Sequence, residues 1–203
     1  MNLANKLTIF RIILVPIMVI TPIISLWILP NEIYPLGIPV TWLIVDIIFI
    51  IASITDKLDG YIARSRNQTT TFGKFLDPIA DKILVLAAMI MLVEDNRLPA
   101  IIPIIVLFRE FIVSGYRLVA VENNGQVIAA SIWGKLKTVT QMLALIIAIV
   151  DTNPSGYFLT GKIPTIGDTV VNAISTILMT ISVIATIFSG WDYIKNGKDL
   201  LKK

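Results

Sequence analysis

Four aspartates stand in two pairs, Asp56 with Asp59 and Asp77 with Asp81, three and four residues apart. On a helix turning about 100° per residue, the first pair lies about 60° apart and the second about 40° apart, so each pair shares a face. The polar stretch between the pairs, SRNQTTTFG, is short. It makes the two helices antiparallel neighbours and lets the pairs converge. Carboxylates beside apolar helices are costly, roughly 3 kcal/mol or more each within a membrane segment, and four of them repel one another. Divalent cations relieve both costs. The chain has no histidine and no cysteine, so any ligand set is all oxygen, which suits a hard ion such as Mg2+ or Mn2+. Two ions sharing bridging carboxylates would match the arrangement used to displace groups at phosphorus.

Other uses of these residues stay open at this point. Asp56 could pair with Arg64, and Asp81 with Lys82 or Lys74, as interfacial charges at helix ends. Buried carboxylates also mark proton and cation paths in transporters. Gly60 follows Asp59 inside a helical pattern, where glycine costs about 1 kcal/mol relative to alanine and often marks a close backbone approach. Gly73 reads equally as a loop hinge. Arg64 lies about a turn beyond the first pair, where a guanidinium fork could grip phosphate oxygens. Pro78 either kinks the next helix or starts it.

The elements that must position these groups are apolar. Of 203 residues, 56% are hydrophobic and 15% charged, and the mean hydropathy is +0.83. A soluble domain would carry far more charge, so the expected class is an all-α integral membrane protein. Six windows approach the roughly 20 residues that a span requires: Thr8–Leu29, Val40–Arg64, Lys74–Val93, Leu98–Glu122, Ile132–Val150 and Thr169–Tyr193. Breaker-rich connectors separate them. With no internal repeat, residues 1–203 read as one membrane domain. The apolar run near the start ends without a small-residue cleavage site, so it reads as a retained helix. With the N-terminus inside, 15 of the 17 lysines and arginines fall on the inner side, leaving Arg97 and Lys162 outside. The positive-inside rule then places both termini, and the four aspartates, in the cytoplasm. The net charge of +3 is modest, and no nucleic-acid partner is expected.

Residues 56–81 also read Asp-x-x-Asp-Gly-x-x-Ala-Arg, eight residues, Gly-x-x-x-Asp-x-x-x-Asp. This resembles the signature of the CDP-alcohol phosphotransferases. The resemblance implies that a CDP-linked donor passes its phosphoryl-bearing part to an alcohol and releases CMP. It implies that Asp56, Asp59 and Asp77 bind metal, two ions of Mg2+ or Mn2+ in all. Asp81 would join the metal site and serve as general base. Gly60, Ala63, Arg64 and Gly73, with Asp56, would contact the CDP moiety, as would Asn5 and Thr8 on the first helix. Read without the resemblance, Asn5 and Thr8 are simply a helix start, with Thr8 as a possible cap.

Three further stretches, NKLTIFRIILVP, FREFIVSGYR and WGKLKTVTQM, resemble the branch of that family that joins CDP-diacylglycerol to glycerol 3-phosphate. Arg109, Arg117, Lys135 and Lys137 would then hold the acceptor's phosphate. They read equally as cations touching lipid headgroups. A homodimer in the cell membrane is also implied. The alternatives kept beside this reading are a phosphatidyltransferase for serine or inositol, a prenyltransferase, and a cation-coupled transporter.

Overall fold

The computed structural model describes residues 3–28, 37–65, 71–122, 132–162 and 165–197. Six α-helices follow in order: α1 (Leu3–Ile28), α2 (Val40–Ser65), α3 (Thr71–Glu94), α4 (Ile101–Glu122), α5 (Ile132–Val150) and α6 (Ile166–Gly197), with one 3-10 turn at Tyr157–Thr160. No strand occurs among the described residues. Every expected window is a helix, and three begin earlier than expected. The first turns of α1, α3 and α6 carry polar residues, and helicity there outruns the apolar signal.

That difference decides three local points. α1 starts at Leu3, so Thr8 sits inside the helix and does not cap it. α3 starts at Thr71, so Gly73 belongs to its first turn rather than to a loop hinge. Pro78 likewise lies inside α3 and does not begin it.

Contacts group the chain into two compact units, 1–97 with 146–152, and 98–145 with 153–203. In the first unit α1 packs against both α2 and α3, which also touch each other. The buried stripe of α1 is Asn5, Thr8, Arg11, Val15 and Met18, spaced three or four residues apart as one helix face requires. α3 stops where Asn96 takes the left-handed conformation at φ 58° and Arg97 N donates to Leu92 O at 2.8 Å, the bonding of a Schellman cap. Arg97 itself is buried over the Trp42 ring, 3.9 Å from its centroid. Its Nη1 donates to Ile149 O at 2.9 Å and Asp151 O at 3.0 Å, satisfying carbonyls at the end of α5.

In the second unit α4 packs on α6. Thr165 begins α6 by accepting from Asp168 N at 3.1 Å and donating to the Asp168 carboxylate at 2.6 Å, a capping-box variant. The buried stripe of α6 is Asn172, Ser175, Met179, Ser182, Thr186, Ser189 and Tyr193, while Ile174, Ile177, Ile181, Ile184 and Ile187 are exposed. Small polar residues face the neighbouring helix and isoleucines face outward. Water would favour the reverse; a hydrocarbon surround produces this arrangement. Several buried hydroxyls bond back to their own helix, as Thr186 does to Ser182 O at 2.7 Å, and Ser53 and Thr55 do in α2. α1, α5 and α6 are long and apolar enough to cross a membrane. α2, α3 and α4 have 26, 24 and 22 residues, lengths that also suffice, and they carry the acidic motif and two of the arginines singled out above.

Candidate functional site

Both aspartate pairs lie within helices, Asp56 and Asp59 near the end of α2, and Asp77 and Asp81 in the first half of α3. Helical spacing therefore holds across each pair. The side chains of Asp59, Gly60, Ala63, Arg64, Gly73 and Asp77 lie outside the described residues. Asp56 and Asp81 are described, and both are partly exposed. Asp56 meets Arg11 Nη1 at 2.7 Å, with the arginine fully buried and the carboxylate 35% exposed. The sequence left Arg64 open as a partner, and its side chain lies outside the described residues. Arg11 is supplied by α1, which packs on α2 through the Asn5, Thr8, Arg11 face. A guanidinium here fixes the direction of the Asp56 carboxylate. One signal in the sequence pointed to it: Arg11 follows Asn5 and Thr8 at helical spacing within an apolar run.

The donor set fits divalent ions. The motif's potential ligands are carboxylates, on a chain without imidazole or thiolate. The two described carboxylates remain partly exposed, as a site entered from water requires. Asn5 and Thr8 are both buried, on the same face as the arginine that holds Asp56.

The four cations expected at the acceptor's phosphate, Arg109, Arg117, Lys135 and Lys137, divide by surroundings. Lys137 on α5 and Arg109 on α4 meet the same oxygen, Glu110 Oε1, with Arg109 Nη1 at 2.7 Å and the lysine in very close contact. Arg109 Nη2 also donates to Ser189 Oγ at 2.6 Å. Arg117 donates to Tyr193 Oη at 3.0 Å, and the Tyr193 ring lies 5.9 Å from the Arg109 guanidinium and 5.7 Å from that of Arg117. These are cation–π distances. Thus α6 places two residues, Ser189 and Tyr193, one turn apart under two arginines two turns apart on α4. Trp133 at the start of α5 stacks on Phe188 at 5.0 Å. Lys135 is exposed and takes no part in the network. The sequence reading missed Glu110, Ser189 and Tyr193, because nothing local marks a glutamate on α4 as the partner of a lysine 27 residues on.

Comparisons with known proteins agree with the motif. The family model for CDP-alcohol phosphatidyltransferases matches residues 1–188. A CDP-diacylglycerol–glycerol-3-phosphate 3-phosphatidyltransferase of Bacillus subtilis is 39% identical over 201 residues, covering 99% of this chain and 97% of that protein. Proteins of the same name from Haemophilus influenzae and Rickettsia bellii are 46% identical over 150 residues and 35% over 199. The first alignment covers 71% of this chain and 73% of the relative, the second 97% and 96%.

Proposed function

This chain belongs to the CDP-alcohol phosphatidyltransferase family, and on that premise we propose that it transfers the phosphatidyl group of CDP-diacylglycerol to sn-glycerol 3-phosphate. The products are phosphatidylglycerol phosphate and CMP. The observation that carries this reading is the eight-position aspartate motif, set in a chain that aligns almost end to end with a relative bearing that activity in its name.

The proposed roles follow from the chemistry of each side chain. Asp56, Asp59, Asp77 and Asp81 would hold Mg2+ or Mn2+, two ions in all. Bound there, the metal would offset charge on the donor's diphosphate and on the departing CMP. Arg11 keeps Asp56 aimed, and so acts through it. Asp81 accepts the proton of the acceptor hydroxyl as its oxygen bonds to phosphorus. The bond from that phosphorus to the CMP oxygen breaks, and CMP leaves with the bonding pair. Arg64 binds phosphate oxygens as that charge develops. Gly60, Ala63 and Gly73 make room for the nucleotide, and Asn5 and Thr8 contact it. Arg109, Arg117 and Lys137 bind the acceptor's own phosphate, and the exposed Lys135 stays outside their network.

In this reading all six helices cross the cell membrane, the termini and the aspartates lie on the cytoplasmic side, and the protein works as a homodimer. A water-soluble acceptor and a lipid donor can then meet at the surface. Attack is direct, since the chain has no cysteine or histidine to form a covalent intermediate and its aspartates are committed to metal. A chiral phosphorus should invert; net retention would refute direct attack.

The test is CMP release by purified protein in detergent, with CDP-diacylglycerol, Mg2+ or Mn2+, and one acceptor at a time. Release with glycerol 3-phosphate, and not with serine, inositol or glycerol, is the expected result. Release only with another alcohol would keep the family and replace the acceptor. No release from folded protein would remove the enzymatic reading.

A further inference from the structure

Glu110 is at odds with the cations around it. Its side chain is 17% exposed and sits in the middle of α4. Next to a site for a phosphate dianion, a carboxylate opposes binding by its charge. Its contacts give it another use. Arg109 Nη1 and Lys137 Nζ both meet Glu110 Oε1. Two donors on one oxygen lie within about two hydrogen-bond lengths of each other, roughly 5.5 Å. That is close enough for the oxygens of one phosphate group to reach both.

Two cations at that spacing would separate without an anion between them. Both are carried on long flexible stems that tend to extend toward water. Arg109 is held further by Ser189 Oγ and by Gly190, where an added Cβ would come 3.4 Å from Arg109 Cγ. Lys137 reaches the pair from a different helix, so the glutamate is what ties α5's cation to α4's.

We propose that Glu110 is a positioning residue for the acceptor phosphate, holding Lys137 and Arg109 together at one oxygen so that the phosphate meets a pre-set pair of cations. This rests on the acceptor-site reading above. What Glu110 contributes is placement, and the effect is read in the acceptor's KM rather than in kcat.

The experiment measures steady-state CMP release by full-length protein, varying glycerol 3-phosphate and CDP-diacylglycerol in turn. The variants are Glu110→Ala, Glu110→Gln, Lys137→Gln, Arg117→Gln and the double change Glu110→Gln with Lys137→Gln. Glu110→Gln keeps the size and one acceptor oxygen, so it carries the test if the alanine variant does not fold. The expected result is a KM for glycerol 3-phosphate raised about tenfold in Glu110→Ala and about threefold in Glu110→Gln, on the scale of a weakened hydrogen bond to a charged group. The KM for CDP-diacylglycerol and kcat should stay within about twofold, and Glu110→Gln should add little in the Lys137→Gln background. An unchanged or lowered KM for glycerol 3-phosphate in Glu110→Gln would overturn the proposal. So would parallel losses for both substrates, which would mean packing alone. If Lys137→Gln and Arg117→Gln raise that KM while the Glu110 variants do not, only this inference fails. If none of them moves it, the acceptor-site reading fails with it.

Discussion

In the first unit the charged residues of interest come in pairs three and four positions apart on single helices, and they are carboxylates. In the second they are cations drawn from α4 and α5, and they meet only through residues of a third kind, Glu110 on α4 and Ser189 and Tyr193 on α6. One site is written into helical periodicity, and the other is assembled by packing. The contrast extends to their counter-ions. Among the described residues, Arg11 is a buried cation set against the acidic motif, and Glu110 is a shielded anion set among the basic residues. In each unit an opposite charge fixes a charged group of the site, Asp56 in the first and Arg109 with Lys137 in the second. This is how a low-dielectric surround can hold like charges together without their spreading apart.

If the division of labour follows that contrast, changes in the first unit should act on kcat and changes in the second on the acceptor's KM. The largest effect expected is from chelation. EDTA should reduce CMP release to background, and added Mg2+ or Mn2+ should restore it. Activity that survives exhaustive chelation would dissolve the comparison, since the carboxylates would then need another purpose. Next is Asp81→Asn, expected to lower kcat by about 10²- to 10⁴-fold as loss of a general base does, with the acceptor's KM little changed. A loss seen only in that KM would move Asp81 to the acceptor's side of the division.

Lys137→Gln should raise the KM for glycerol 3-phosphate about tenfold, the scale of one lost charge-assisted hydrogen bond, with kcat nearly constant. Glycerol, which has no phosphate, offers a sharper version: any slow turnover with it should be insensitive to this change. Arg11→Met leaves Asp56 without its buried partner. Because that carboxylate is partly exposed, the cost should fall below that of a fully buried pair, lowering the apparent melting temperature in detergent by about 5 °C. A melting temperature that does not move would show that the pair holds no fold energy and serves the site alone. Lys135→Gln is the smallest, with all constants within about twofold, since Lys135 is exposed and outside the network. A large effect there would put the acceptor's phosphate nearer the start of α5 than Glu110 does.

The sequence by itself determined the helices and the acidic motif, and it did so because both are local. Apolar windows of span length have few alternatives in lipid, where every backbone group must bond within its own segment. The pairs Asp56–Asp59 and Asp77–Asp81 needed only the turn angle of a helix to share a face. The absence of histidine and cysteine restricted any metal to oxygen ligands before a coordinate was known. Only the tertiary structure decided the partners. Asp56 meets Arg11, which α1 brings in from 45 positions earlier. Arg109 and Lys137 could be recognised as cations, yet nothing near them in the chain announced that one glutamate oxygen would join them, or that a serine and a tyrosine of α6 would underlie the arginines. Helical periodicity fixes which residues share a face. Which foreign charge meets that face depends on helix packing, where small side chains such as Ser189 and Gly190 allow close approach, and no local spacing encodes it.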